Sequence, residues 1–524
     1  MYKKAKPLFY AGALPLFLCF FTPNNLFPQT NFNPAVQKEL VIIDSVHAYN
    51  LNPHKANYSS EAQILNGLYE GLFSYDPLTL EPVPAAVKTF RISRDQKKWT
   101  FILRDDIYFS NGEPIEAQDF KRSWLTLLNP KTKAPFASLL DCIKGAALYR
   151  NGKGQAEEVG IQVKDAKTLT VYMNTPTKHF SKILCHHAFA VTHTDKNVFS
   201  GAFIVKAQGT AMLLLEKNPF YFDAENVAIP SIRIINSSDK NENTLAFNTG
   251  EAPWISGFLN TEKIYDKEHV LVYPQFGTEF FFFKASQYPW NIPLMRKAVL
   301  SAIPWEKLRQ NNLVPAETLI LPLENYPHIY GITDYDTDEA KLLLAEALAF
   351  DSSAKNKKKP VLKLAVPDFE YVKKQAFLIC DSLKDIGIDV TIETADPARY
   401  LESIRESTAD LFIYTWIGDF ADPLAFLELF RGGSSLRETE WHSDYFDALL
   451  EKAALTDDAK ERYKKLAEAE QFLLDDGIVL PVSHPVSLNA VDTGVLGGWF
   501  SNSLNIHPFK YLYFKEASEP EGFI

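Results

Sequence analysis

Apolar and polar positions along this 524-residue chain fall into segments of two periods. Leu40-Val41-Ile42-Ile43 is an apolar run of strand length. Ile64, Leu65, Leu68 and Leu72 recur three or four apart, which predicts a helix over 59–72. Trp99-Thr100-Phe101-Ile102-Leu103 reads as a strand, and Asn111-Gly112 as a tight turn. A helix is expected over 117–128, a strand over 168–173, and a strand-rich middle over 212–283 that contains Phe280-Phe281-Phe282-Phe283.

The rhythm then changes. Segment 361–366 is β-like, 370–386 helical with Gly387 as its stop, 388–392 β-like, 397–405 helical and 411–416 β-like. Strand–helix alternation of this kind predicts an open α/β lobe with parallel strands. Two helices follow, over 443–454 and 457–476, the second ended by Gly477. The lysine-rich segment 352–360 reads as a solvated loop. No internal repeat is visible.

Charge narrows the function. With 54 Lys plus Arg against 65 Asp plus Glu, the net charge is −11, which argues against a nucleic-acid groove. The length suits two to four domains. Lys3, Lys4 and Lys6 precede an apolar run from Pro7 to Phe21, too short to span a bilayer and interrupted by Pro15, so residues 1–30 read as a secretory or lipoprotein signal. Cys19 would carry the lipid in the second case, although Leu18 is bulky for such a signal. The Asn- and Pro-rich stretch 24–34 reads as a linker. No later segment is long and apolar enough to span a membrane.

Catalytic signatures are missing: the chain has no G-x-S-x-G, P-loop, H-E-x-x-H or G-x-G-x-x-G. Cys185-His186-His187, with His193 downstream, has metal-like spacing, but an ordinary loop with a buried Cys is the simpler reading, and no metal or cofactor is expected. Four Cys cannot make a disulfide scaffold; Cys142 and Cys185 are open to pairing in an exported chain, or stay free as small hydrophobes. One pattern points to recognition. Trp416-Ile417-Gly418-Asp419-Phe420-Ala421-Asp422-Pro423 follows directly on an apolar strand, where open α/β sheets gather their ligands. Asp419 beside an indole suits an ammonium group; it suits equally a turn in which it caps the next helix.

These residues resemble the family 5 extracellular solute-binding proteins of ABC importers, and among them the oligopeptide binders. The resemblance runs in register over about residues 38–515. It rests on Leu51-Asn52-Pro53-His54, Leu68-Tyr69-Glu70-Gly71-Leu72, Trp99 to Arg104, Phe109 to Ile115 and Asp119 to Trp124, and continues through Gly201-Ala202-Phe203, Lys217 to Asp223, Gly250-Glu251, Phe446 to Leu450 and Ala467 to Glu470. It implies the two-lobed periplasmic-binding-protein fold (class II, α/β, three domains): domain I over 38–72, 200–283 and 488–515, domain II over 73–199 and domain III over 284–487. Hinge crossings would lie near 279–290 and 483–490.

The family further implies a non-enzymatic, monomeric receptor that engulfs an extended peptide between its lobes and delivers it to a permease and its ATPase. Carried over by position, Asp419 would pair with the peptide ammonium beside Trp416 and Gly418. Val46, His47 and Ala48 would give backbone and rim contacts, Phe136 an aromatic wall, and Phe281 a contact from the aromatic run at the hinge. Departures from the peptide binders suggest a more apolar cavity for short or hydrophobic peptides: Glu279 to Lys284 replaces a tyrosine-rich segment, Ser483-His484-Pro485 replaces a tyrosine run, and Ile413 stands for an arginine. A nickel chelate, haem or sugar as cargo, or a surface interaction protein with an unused cleft, remain the other readings.

Overall fold

The computed structural model describes residues 39–44, 49–56, 59–350, 359–418 and 420–516. Within them three sheets organise the chain. The first has seven strands, in the order Val270–Pro274, Val486–Val491, Trp254–Ser256, Glu39–Asp44, Ser231–Asn236, Met212–Lys217, Phe203–Gln208. Glu39–Asp44 sits inside it, parallel to both neighbours, with Leu40, Ile42 and Ile43 buried. That placement is why its run is nearly all apolar.

The second sheet is a four-stranded antiparallel layer, Val87–Ile92, Lys98–Leu103, Thr168–Tyr172 and Ile161–Asp165. Trp99, Phe101 and Leu103 point from it into a core shared with Phe120, Trp124 and Phe180. Phe120 and Trp124 belong to the helix Ala117–Leu128, which starts at a capping box between Glu116 and Asp119.

The third sheet has five strands, in the order Asp389–Ala395, Val361–Pro367, Leu411–Ile417, Gly277–Phe283, Val479–Ser483. Its first three are parallel, as the alternating rhythm predicts, and are linked by the helices Glu370–Asp385 and Tyr400–Glu406. The other two are antiparallel. Gly277–Phe283, expected to end the second part of domain I, instead pairs along its whole length with Leu411–Ile417, and all seven of its residues are buried. A run of four phenylalanines belongs in a central strand covered on both faces, not at a hinge.

The hinge accordingly moves. The chain leaves the seven-stranded sheet after Pro274 and enters the five-stranded sheet at Gly277, so the first crossing is Gln275-Phe276. It returns through His484-Pro485, inside the expected second crossing. The crossings touch: Gln275 N–H donates to the Pro485 carbonyl at 2.8 Å, and His484 Nδ1 lies 2.9 Å from the Gly277 carbonyl. Because a carbonyl only accepts, that nitrogen carries the proton. Burial lowers the His484 pKa.

Candidate ligand-binding cleft

In the five-stranded sheet the chain runs from Val361–Pro367 to one side (Asp389–Ala395), then back past it to the other (Leu411–Ile417). The C-terminal ends of Val361–Pro367 and Leu411–Ile417 therefore flank a topological switch point, where open α/β sheets leave a crevice. A cavity of about 350 Å³ fills it. Its floor is residues 413–418, and its sides are Phe369 and Tyr371 after one strand and Tyr400 and Leu401 after the next. Phe136, His186 and His187 from the lobe of the four-stranded sheet, with Ala62, Leu504 and Ile506 from the lobe base, complete the wall.

The floor strand offers its main chain. Pairing with Val361–Pro367 stops at Ala365 opposite Phe412. Just beyond, Tyr400 Oη accepts from Ile413 N–H at 3.1 Å and lies 2.9 Å from the carbonyls of Ile413 and Ala365. The main-chain groups of Ile413 thus point away from Gly277–Phe283. By the alternation of an antiparallel pair, so do those of Thr415 and Ile417, which line the cavity and, among the described residues, have no neighbouring strand on that edge.

Two of the sequence-picked residues on this strand are on the wall, for reasons that differ from expectation. Trp416 is fixed from below, its Nε1 donating to the Ala425 carbonyl at 2.8 Å, and it stacks on Tyr414 at 6.0 Å with Phe136 at 6.4 Å. Gly418 admits the close approach of the hinge. Its N–H donates to the Phe276 carbonyl at 2.7 Å, and a Cβ there would lie 2.6 Å from the Phe276 ring. Phe136 lines the cavity as an aromatic wall, packed on His186 at 4.4 Å.

Phe281 is a correction. It is fully buried inside the sheet opposite Ile413 and off the cavity wall; two residues earlier on the same face, Glu279 reaches the cavity instead. Asp419, Val46, His47 and Ala48 lie outside the described residues, as do residues 1–30 and Cys19 with them. Nearby, the Asp422 carboxylate accepts from Leu424 N–H at 3.1 Å and forms a two-pronged ion pair with Arg462 at 2.8 Å.

The Cys185-His186-His187 stretch does not gather a metal site. His193 bonds Glu113 at 2.9 Å, and the Cys185 thiol faces the Ser74 and Ser181 carbonyls. Among the described residues no three His, Cys, Asp or Glu side chains converge on one point. Cys142 and Cys185 are both free, with burial pushing each thiol's pKa up. His186 and His187 contribute instead as neutral imidazoles on the cavity wall; burial pushes His186 down to about 3 and His187 well below its usual range.

The lobes meet around the cavity. Ser435 Oγ donates to the Pro135 carbonyl at 2.7 Å and accepts from Ser138 N–H at 3.1 Å, while Arg150 Nη2 reaches the Gly433 carbonyl at 2.8 Å. On the far side of the seam His179 stacks on Phe420 at 6.1 Å.

Two lobes joined by a double crossing and shut over a cavity at a sheet switch point define a solute-binding protein of the two-lobed type. Residues 81–437 match the family model for bacterial extracellular solute-binding proteins, family 5 (middle region), and the chain belongs to that family. It is 27% identical to the dipeptide-binding protein DppE of Bacillus subtilis, over 87% of each chain. It is likewise 27% identical to the oligopeptide-binding protein OppA of the same organism, over 89% of this chain and 91% of that one. The murein tripeptide-binding protein MppA of Escherichia coli superposes with a TM-score of 0.80 at 23% identity, covering 92% of this chain and 99% of the other. Haemophilus influenzae OppA in complex with the peptide RPPGFSPFR gives 0.79 at 22% identity, covering 91% and 99%.

Proposed function

We propose that the chain is the extracytoplasmic, monomeric, non-enzymatic binding component of an ABC importer, which holds a short extended peptide in the cleft and hands it to the permease and its ATPase. The observation that carries this reading is the unpaired edge of Leu411–Ile417. There the main-chain groups of Thr415 and Ile417 face the cleft cavity and can take an added strand. Main-chain pairing supplies affinity without reading sequence, and the apolar wall of Phe136, Trp416, Leu504 and Ile506 accommodates side chains. A cavity of about 350 Å³ stands at the small end of ligand pockets, which favours short cargo.

In this reading Asp419 neutralises the peptide ammonium beside Trp416 and Gly418, and Val46, His47 and Ala48 supply rim contacts. The N-terminal signal exports the chain, with lipid attachment at Cys19 as the anchored variant. The relatives named for peptides support the assignment. Native mass spectrometry of protein purified without refolding tests it. A ladder of retained peptide masses is expected; a retained metal, haem or sugar, or a chain that binds no added peptide, overturns it.

A further inference from the structure

The described wall of the cavity contains one carboxylate, Glu279, and neither lysine nor arginine. His186 and His187, its other ionisable groups besides tyrosines, are neutral at physiological pH. Among the described lining residues Glu279 is therefore the one formal charge, and it is negative; in the peptide reading Asp419 adds a second acid to the cleft. Glu279 is 7% exposed. Among the described residues the groups that hydrogen-bond it are neutral: the Tyr371 hydroxyl at 3.2 Å, with Gln375, Thr415 and Ser483 around it.

A buried carboxylate held only by neutral donors is costly, and burial raises the Glu279 pKa accordingly. A cation entering the cavity would relieve that cost. The approach is suited to one on a long stem, because Phe369 and Tyr371 stack at 6.0 Å and line the same wall, each about half exposed. Aromatic faces accept both an alkyl chain and a guanidinium or ammonium group. Glu279 is the third residue of the strand Gly277–Phe283 and is followed by four phenylalanines, so its neighbours along the strand offer it no ion pair.

We infer that Glu279 is a specificity residue: the cleft selects peptides that carry a lysine or arginine side chain, whose stem lies against the stacked Phe369 and Tyr371 rings and whose cation pairs with the Glu279 carboxylate. This rests on the peptide reading above. It makes the cavity a selective pocket at one side-chain position and a permissive one at the others.

Calorimetry on the full chain separates the two claims. The probes are tri-alanine, the three tri-alanine derivatives with one lysine, and their three norleucine counterparts, which keep the stem and lose the charge. At one position lysine is expected to bind about tenfold or more tighter than norleucine. In Glu279→Gln that lysine-to-norleucine ratio falls towards one. The ratio is taken within each protein, so a general loss of affinity or folding cancels. A lysine preference at no position, or one that survives in the variant, overturns the inference while tri-alanine binding leaves the peptide reading standing. Failure of all seven peptides to bind overturns both.

Discussion

The hydroxyl of Tyr400 caps the main chain of Ile413 where two parallel strands part, accepting its N–H at 3.1 Å and lying 2.9 Å from its carbonyl. That side chain ends the sheet and starts the cleft: before it, main-chain groups are spent on Val361–Pro367, and after it they face the cavity. Tyr400→Phe leaves these buried main-chain groups short of a partner. Stability should fall by about 1–3 kcal/mol, read from urea denaturation midpoints at constant slope.

Asp419→Ala is expected to weaken peptide binding by about 2–5 kcal/mol, the usual effect of orphaning a buried ammonium. Titration calorimetry with tri-alanine measures it. N-acetylation of the peptide should cost a similar amount in the wild type and little more in the variant, since both remove the same pair. Unchanged affinity in the variant removes the role.

Ser435 ties the lobes through two hydrogen bonds, to Pro135 and Ser138. Each is worth about 1 kcal/mol, and both exist only when the cleft is shut. Ser435→Ala should therefore raise the peptide dissociation rate by about thirtyfold with little change in association, as read by stopped-flow displacement.

Glu470 is fully buried and accepts from Ile320 N–H at 2.9 Å and from the Tyr326 hydroxyl at 3.0 Å. Burial pushes its carboxyl up to about 7. A raised folded-state pKa means that the folded chain binds the extra proton. The stabilising contribution is thus complete below pH about 4.5 and is lost as pH climbs to about 7, amounting to about 3 kcal/mol. Glu470→Gln keeps an acceptor for Ile320 and should flatten the decline of stability with pH over that window. An unaltered pH profile would assign the slope to other groups.

Much of this was readable in the chain. The rhythm of 361–417 gave the parallel core of the cleft lobe, and the stop at Gly387 is matched by a residue at φ +93°. The strand end at Trp416 and Gly418 opens on a crevice at the sheet's switch point, and Trp416, Gly418 and Phe136 line it. The hinge is not legible in the sequence, because four phenylalanines look alike whether they cross between lobes or fill a sheet; only pairing with Tyr414 and Leu480 distinguishes the cases. The metal-like spacing of His193 after His186 carries no contact between them, because spacing cannot register Glu113, 80 residues upstream, which His193 bonds instead. Glu279 and Tyr371 converge from elements 92 positions apart, a distance no local pattern spans; the one signal was an acid heading an otherwise apolar run.

The central claim is that cargo adds as a strand to the open edge at Thr415 and Ile417. Calorimetry with tri-alanine against its backbone N-methylated forms, which keep every side chain and terminal charge but lose one amide donor and gain bulk at the strand edge, tests it directly. Methylating the amide that faces the edge should weaken binding about a hundredfold or more, whereas swapping alanine for norleucine should change it far less. Equal affinity for the parent and every methylated form would contradict strand addition.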